Sequence, residues 1–251
     1  MTDRRAFLRN TVLALGGAVL TGCDRVSESD TGAKVLESAE AVTRRVQRFL
    51  SPSRALAKEY EEADISPVFK PNGSILPDTP AYQALLRNGF ADYRLEVDGM
   101  VERPSRLSIE DLKALGTRTQ ITRHDCVEGW SVIGKWTGTP LASVLDHVGA
   151  KPGARYVVFH CFDNYEEDTP YYESIDLDEA RHPQTLLAYG LNGGGLPVAN
   201  GAPLRLRVER QLGYKHAKYL RRIELVSSFA DIGEGNGGYW EDNGYEWYAG
   251  I

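Results

Sequence analysis

Cys126 is preceded by Arg123 and His124 and followed by Glu128-Gly129 and the indoles Trp130 and Trp136. Thiolate is the form of cysteine that ligates metals or attacks electrophiles, and nearby cations favour it. Residue chemistry alone leaves two readings open, a functional thiolate or an inert packed thiol, because free cysteine is also a common core residue. Arg205 and Arg207 alternate, so one of them could equally face solvent, and Asn200-Gly201 is a turn pair in any protein. Cys161 follows the apolar run 156–159 and reads as a packed thiol with a possible ligand contact; His147 and His182 read as surface or helix-end residues. No C-x-x-C pair and no G-x-x-x-x-G-K-[ST] loop occurs, which argues against structural zinc and P-loop nucleotide chemistry.

The elements that must position these residues are short and mixed. Residues 93–99 alternate as a half-buried strand, Ser108 caps a helix, and residues 118–123 form a strand leading into Cys126. A helix opens at Leu141 and runs to Val148; residues 156–159 form a buried strand. Residues 176–189 contain helical turns interrupted by Pro183, and strands follow at 204–208 and 220–226. A helix is predicted at 36–50 and a second at 54–62. The 251 residues, 42% hydrophobic and 25% charged, can bury a sizeable core, and the pattern predicts one α+β domain over residues 64–251, with mixed sheets and peripheral helices. A formal charge of −6 argues against a nucleic-acid partner. Three cysteines are too few for a disulfide framework.

The N-terminus reads as an address. Arg4-Arg5 precedes Phe7-Leu8 and the apolar run 11–20, which is too short to span a membrane. The pattern resembles a twin-arginine export signal, and Leu20-Thr21-Gly22-Cys23 resembles a lipobox. Residues 1–22 are expected to be the signal and residues 23–63 a tether with N-terminal helices. Cys23 is then a lipid anchor at the inner membrane, or a nearby site is cleaved to leave a soluble periplasmic protein. Residues 1–22 carry Arg4, Arg5 and Arg9 against Asp3, so the remainder would be two charges more acidic, at −8.

Residues 121–141, with Cys-Val-Glu-x-Trp-Ser and Trp-x-Gly-x-Pro-Leu, resemble the cysteine motif of the sulfite oxidase superfamily of molybdopterin enzymes. They are closest to the branch of periplasmic methionine sulfoxide reductase catalytic subunits. Residues 186–225, with Leu-Pro, Asn-Gly-Ala-Pro-Leu-Arg and Gly-Tyr-Lys, resemble that family's molybdopterin-binding segment, and residues 65–73 resemble its Phe-x-x-Asn segment. The resemblance implies molybdenum held by Cys126, with a molybdopterin contacted by Asn72, Gly73, Cys161, Asn200, Arg205, His216, Ala217 and Lys218. A soft thiolate suits that metal, and the pterin dithiolene supplies further sulfurs. It also implies a sulfite-oxidase-type fold.

The implied function is two-electron oxygen-atom transfer, reducing a sulfoxide-like substrate with electrons from a haem-containing membrane or periplasmic protein. Val127-Glu128-Gly129 stands where sulfite oxidases carry Asn-Arg-Arg, which favours a neutral S-oxide over sulfite, although His124, Arg123 or Lys135 could supply positive charge. The alternatives are a sulfite dehydrogenase or a cofactor-free binding lipoprotein. A further dimerisation domain of animal and plant relatives has no counterpart in the sequence, so a monomeric unit is expected. The aromatic run 237–251 either lines a substrate funnel or closes the core.

Overall fold

Alternating burial organises the chain into two sheets. The structure, a computed structural model, describes residues 55–166 and 169–251; the signal, Cys23, the tether and the helix expected at 36–50 lie outside the described residues. β1 (Leu95–Gly99) buries Leu95 and Val97, as its alternation requires. It pairs antiparallel with β2 (Ser105–Leu107) and parallel with β10 (Leu220–Val226). β10 continues antiparallel to β5 (Tyr156–Glu166), and β5 to β6 (Thr169–Asp176), so the first sheet is mixed, in the order β2-β1-β10-β5-β6. The second is antiparallel. It runs β3 (Arg118–Asp125), β4 (Ser131–Pro140), β7 (Leu186–Leu191) and β8 (Gly194–Gly195), and β9 (Arg205–Arg207) also pairs with β7.

Helices lie at the periphery. α1 (Pro80–Arg87) starts on proline, which suits the first helical turn. α2 (Ile109–Ala114) starts at Ser108, whose hydroxyl accepts from the Asp111 amide while the Asp111 carboxylate accepts from the Ser108 amide, a reciprocal cap. α3 (Leu141–Val148) buries Leu141, Val144, Leu145 and Val148 at helical spacing. α4 (Leu177–Ala180) and α5 (Tyr239–Asp242) are single turns. The main core joins α3 to the inward residues of the first sheet, including Val157, Phe159 and Ile223. A smaller core of Phe69, Trp136, Ala188, Leu191, Leu196 and Ala202 lies against the second sheet. Residues 53–251 form one compact unit. No helix among the described residues is long and apolar enough to cross a membrane.

Four expectations change. Residues 55–61 of the helix expected at 54–62 are not helical, and a 3-10 turn begins only at Glu62: Tyr60 donates to the Ile121 carbonyl and Glu59 bridges Thr122, because the open edge of β3 offers backbone partners that outweigh a short helical pattern. Residues 176–189 form only one helical turn before β7, because Leu186, Leu187 and Ala188 pair with both β4 and β9. His182, expected on the surface or at a helix end, lies just past the end of α4 but is buried, its Nε2 at 3.1 Å from the Ala55 carbonyl. Arg205 and Arg207 share one face of β9 and Leu206 takes the other, and all three are fully buried, so neither face of β9 meets solvent.

Candidate functional site

Cys126 sits in the turn joining β3 and β4, just past the Asp125↔Ser131 pair that ends their register. Its amide donates to the Trp130 carbonyl at 2.9 Å and its carbonyl accepts from the Gly129 amide at 3.0 Å, so the turn is closed on both sides of the thiol. Gly129 takes a φ of +85°, open to glycine without steric cost. The Trp130 indole donates to Glu128 at 2.8 Å, and Lys70 Nζ lies 4.5 Å above the same ring and 3.9 Å from Glu128.

The cations expected to favour thiolate do not act that way. Burial and the Glu128 carboxylate push the Cys126 thiol above its ordinary value, against the opposing Glu128 and Val127 amides and Lys70. The cause is strand alternation. Arg123 turns outward to Asp125 at 2.9 Å, whereas His124 turns inward, where burial and Arg207 keep it neutral. Lys135 is paired with Glu62. A metal at this sulfur would have to displace the thiol proton.

Residues 200–218 form a buried cradle. Arg205 donates to the Asn200 carbonyl at 2.9 Å and the His216 carbonyl at 3.3 Å, while its Nε and Asn200 Nδ2 find no partner. Arg205 and Arg207 both lie over the buried Trp136 ring, at 5.0 and 4.4 Å. Arg207 is neutralised by Glu209, but Arg205 has only carbonyls. Burial and Arg207 therefore pull the Arg205 pKa down to about 9; the guanidinium stays charged at neutral pH, and an anion would relieve the cost. His216 is neutral for the same two reasons, burial and Arg207, and its Nε2 lies 3.0 Å from the Gln211 carbonyl.

Lys218 ties the distant N-terminal segment to this cradle. Its ammonium donates to the carbonyls of Asn72 (2.7 Å), Ala199 (2.9 Å) and Ser74. Burial and Arg205 lower its pKa to about 7, while the three carbonyls favour the charged form. Asn72 Oδ1 is buried and unpartnered. Gly73 has a φ of +61°, and a Cβ there would come within 2.1 Å of the Tyr165 hydroxyl.

One cavity of about 250 Å³ gathers Cys126, Asn72, Gly73, His216 and Lys218. Arg205, Asn200 and Ala217 lie next to that wall, within the buried cradle. Cys161 does not line it: it is 2% exposed and packed in the main core, two residues before Asp163, which does. Asp163 was not legible in the sequence as a site residue. It is buried, accepts from the Ser74 hydroxyl at 2.5 Å and leaves Oδ1 unpartnered; an acidic residue soon after a buried strand is too common a pattern to single it out. Tyr165, Tyr171, Tyr214 and Trp240 complete the aromatic wall, so the 237–251 run both lines the cavity, through Trp240, and closes the core, through Tyr239.

Residues 83–231 match the family model described as the oxidoreductase molybdopterin binding domain. The chain belongs to this molybdopterin-binding oxidoreductase family. It is 38% identical over 247 residues to a putative protein-methionine-sulfoxide reductase subunit YedZ1 of Azospira oryzae, covering 98% of this chain and 87% of that protein. It is also 38% identical over 152 residues to the protein-methionine-sulfoxide reductase catalytic subunit MsrP of Xanthomonas campestris pv. campestris, covering 57% of this chain and 47% of that protein. The sulfane dehydrogenase SoxCD from Paracoccus pantotrophus is similar in structure, with a TM-score of 0.50 at 24% identity over 55% of this chain and 39% of that one, a likeness of fold. The mixed α+β architecture with peripheral helices is thus that of the sulfite-oxidase superfamily.

The residues present fit the cofactor that this family implies. Among the described residues no group of three or more His, Cys, Asp or Glu side chains could hold a metal. Of the two free thiols described there, Cys126 and Cys161, it is Cys126 that lines the cavity and would be the protein's ligand, the remaining ligands coming from the cofactor. The unpaired Arg205 Nε, Asn200 Nδ2, Asn72 Oδ1 and Asp163 Oδ1 supply both donors and acceptors, as a pterin with a phosphate requires.

Proposed function

We propose that the chain is an exported molybdopterin-dependent oxidoreductase that reduces a sulfoxide-type substrate, with Cys126 as the protein's one metal ligand. The observation that carries this reading is the meeting of the Cys126 thiol with Asn72, Gly73, His216 and Lys218 in one cavity, backed by the under-compensated Arg205. When bound, the cofactor supplies oxygen-atom transfer, in which a sulfoxide, two electrons and two protons become a sulfide and water. Arg205 and Lys218 would neutralise its phosphate, Asn72, Asn200, His216 and Ala217 would hold its polar edges through side chains or backbone, and Gly73 leaves room for it. The aromatic wall excludes water and accepts an apolar sulfur substituent.

The charge beside the thiol supports the reductive direction. Glu128 lines the cavity, which disfavours a sulfite dianion and suits a neutral S-oxide. Two similar proteins carry methionine-sulfoxide reductase names, in agreement. The second reading, a sulfite dehydrogenase, is favoured by Lys70 at 3.9 Å from Glu128, which reduces that negative charge. In the proposed cellular setting, Arg4-Arg5 direct export of the folded protein, Cys23 anchors it at the periplasmic face of the inner membrane, and a haem protein delivers the electrons to a monomeric unit.

Metal and pterin analysis of protein from a molybdenum-replete host tests the core of this reading. Near-stoichiometric molybdenum, lost in Cys126→Ser, is expected; folded wild-type protein without molybdenum overturns it. Parallel assays of methionine sulfoxide reduction and sulfite oxidation then decide the direction.

A further inference from the structure

Behind the aromatic wall lies a second charged cluster that the oxygen-transfer reading does not use. The Lys215 ammonium donates to Glu173 Oε1 and, at 2.5 Å, to Glu241 Oε1, and all three side chains are buried, at 0–1% exposure. Both Oε2 atoms lack a hydrogen-bond partner. The carboxyl groups crowd Gly238, where a Cβ would lie 2.1 Å from Glu241 Oε2 and 2.8 Å from Glu173 Oε1.

Two carboxylates against one ammonium would leave a net negative charge in the interior, which burial opposes strongly. A single proton held between the carboxyls removes it. Among the described residues no cation besides Lys215 pairs with either carboxyl; Lys215 itself lies over the Tyr214 and Trp247 rings, and Tyr171, Tyr172 and Cys161 are neutral. Burial and Glu241 accordingly push the Glu173 carboxyl well above its ordinary range.

Each member also carries a wall of the Cys126 cavity. Tyr171 stands two residues before Glu173 on the same face of β6, Tyr214 precedes Lys215 in the Gly213–Lys215 turn, and Trp240 precedes Glu241 in α5. We infer that Glu173, Lys215 and Glu241 act as positioning residues, a neutral three-group latch that shares one proton between its carboxyls and holds the C-terminal segment, with Trp240, against the cavity. Loss of that proton weakens the latch and frees the segment 237–251.

The sign follows from the raised Glu173. Its contribution is fully present below the ordinary carboxyl range and is lost as pH rises through the folded-state value. Hydrogen exchange of peptides covering 233–251, in the full-length purified protein and corrected for the pH dependence of chemical exchange, reads it. Local opening is expected to grow by up to tenfold per pH unit where the proton leaves, and this arm needs no variant. In Glu241→Gln the cluster is neutral without the shared proton, so protection at neutral pH is retained and the pH slope disappears. A pH-independent opening in the wild type, or Glu241→Gln with a threefold or greater loss of protection at neutral pH and an unchanged slope, overturns the proposal. Neither outcome depends on molybdenum content, so failure here is distinguishable from failure of the proposed activity.

Discussion

Two buried cation clusters flank the same cavity and are balanced in opposite ways. Around Arg205 and Lys218 the cations meet carbonyl oxygens and no carboxylate hydrogen bond, and polar atoms stand unpaired beside them. Around Lys215 two carboxyls compete for one ammonium, with no donor for their remaining oxygens. The first cluster has a surplus of positive charge, which the phosphate of the proposed cofactor would complete from outside. The second has a surplus of negative charge and completes itself with a proton. On the proposed reading the difference separates a binding site, which tolerates destabilisation until its ligand arrives, from a structural clamp, which cannot.

Substitutions of the two central cations should therefore act with opposite sign on the ligand-free fold. Lys215→Met leaves two carboxyls buried without a cation and should destabilise by about 3–5 kcal/mol in chemical denaturation. A cost under about 1 kcal/mol would erase the distinction. Arg205→Met removes an under-compensated buried charge, so the ligand-free protein should be no less stable. Its retention of pterin and molybdenum should fall by the worth of a charge-assisted contact, about 1.5–3 kcal/mol, read as cofactor content after purification. Unchanged cofactor with lower stability would place Arg205 with the clamp.

Gly73→Ala probes the wall between the clusters. Its left-handed φ and the nearby Tyr165 hydroxyl should cost about 1–2 kcal/mol, with Tyr165 displaced and cofactor content reduced. The smallest expected signal is a pH slope. Lys218 titrates near 7 when folded against 10.5 in its ordinary state, so between those values the unfolded chain binds a proton that the folded chain has released. Stability of the ligand-free protein should rise with pH across that window, the penalty being fully present below it, and Lys218→Met should flatten the rise.

Local patterning carried much of the fold. Ser108 and Asp111 write a helix start into four residues, 141–148 repeats apolar residues at helical spacing, and 220–226 emerges as β10 with the expected bounds. The edge of β3 reversed one such pattern, because Tyr60 and Glu59 found backbone partners that no local rule weighs. At the site, Cys126, His216 and Lys218 were legible as residue types in order. Asp163, Tyr171 and Trp240 were not, because an acid or an aromatic becomes a cavity wall only through what folds against it.

By itself the sequence determined the chemical inventory: one thiol in a closed turn after a strand, a later block of cations and amides, and the spacing that builds each strand and helix around them. Tertiary structure alone decided their charge and company. It brought Lys218 to the carbonyl of Asn72, 146 residues away, set Lys215 between acids 42 and 26 residues distant, and through burial pushed the Cys126 thiol up where neighbouring cations had suggested a lowered one. The physical reason is that spacing and turn chemistry act over a few residues, whereas burial, and the pairing of charges that burial enforces, exist only once segments far apart in the chain close around one another.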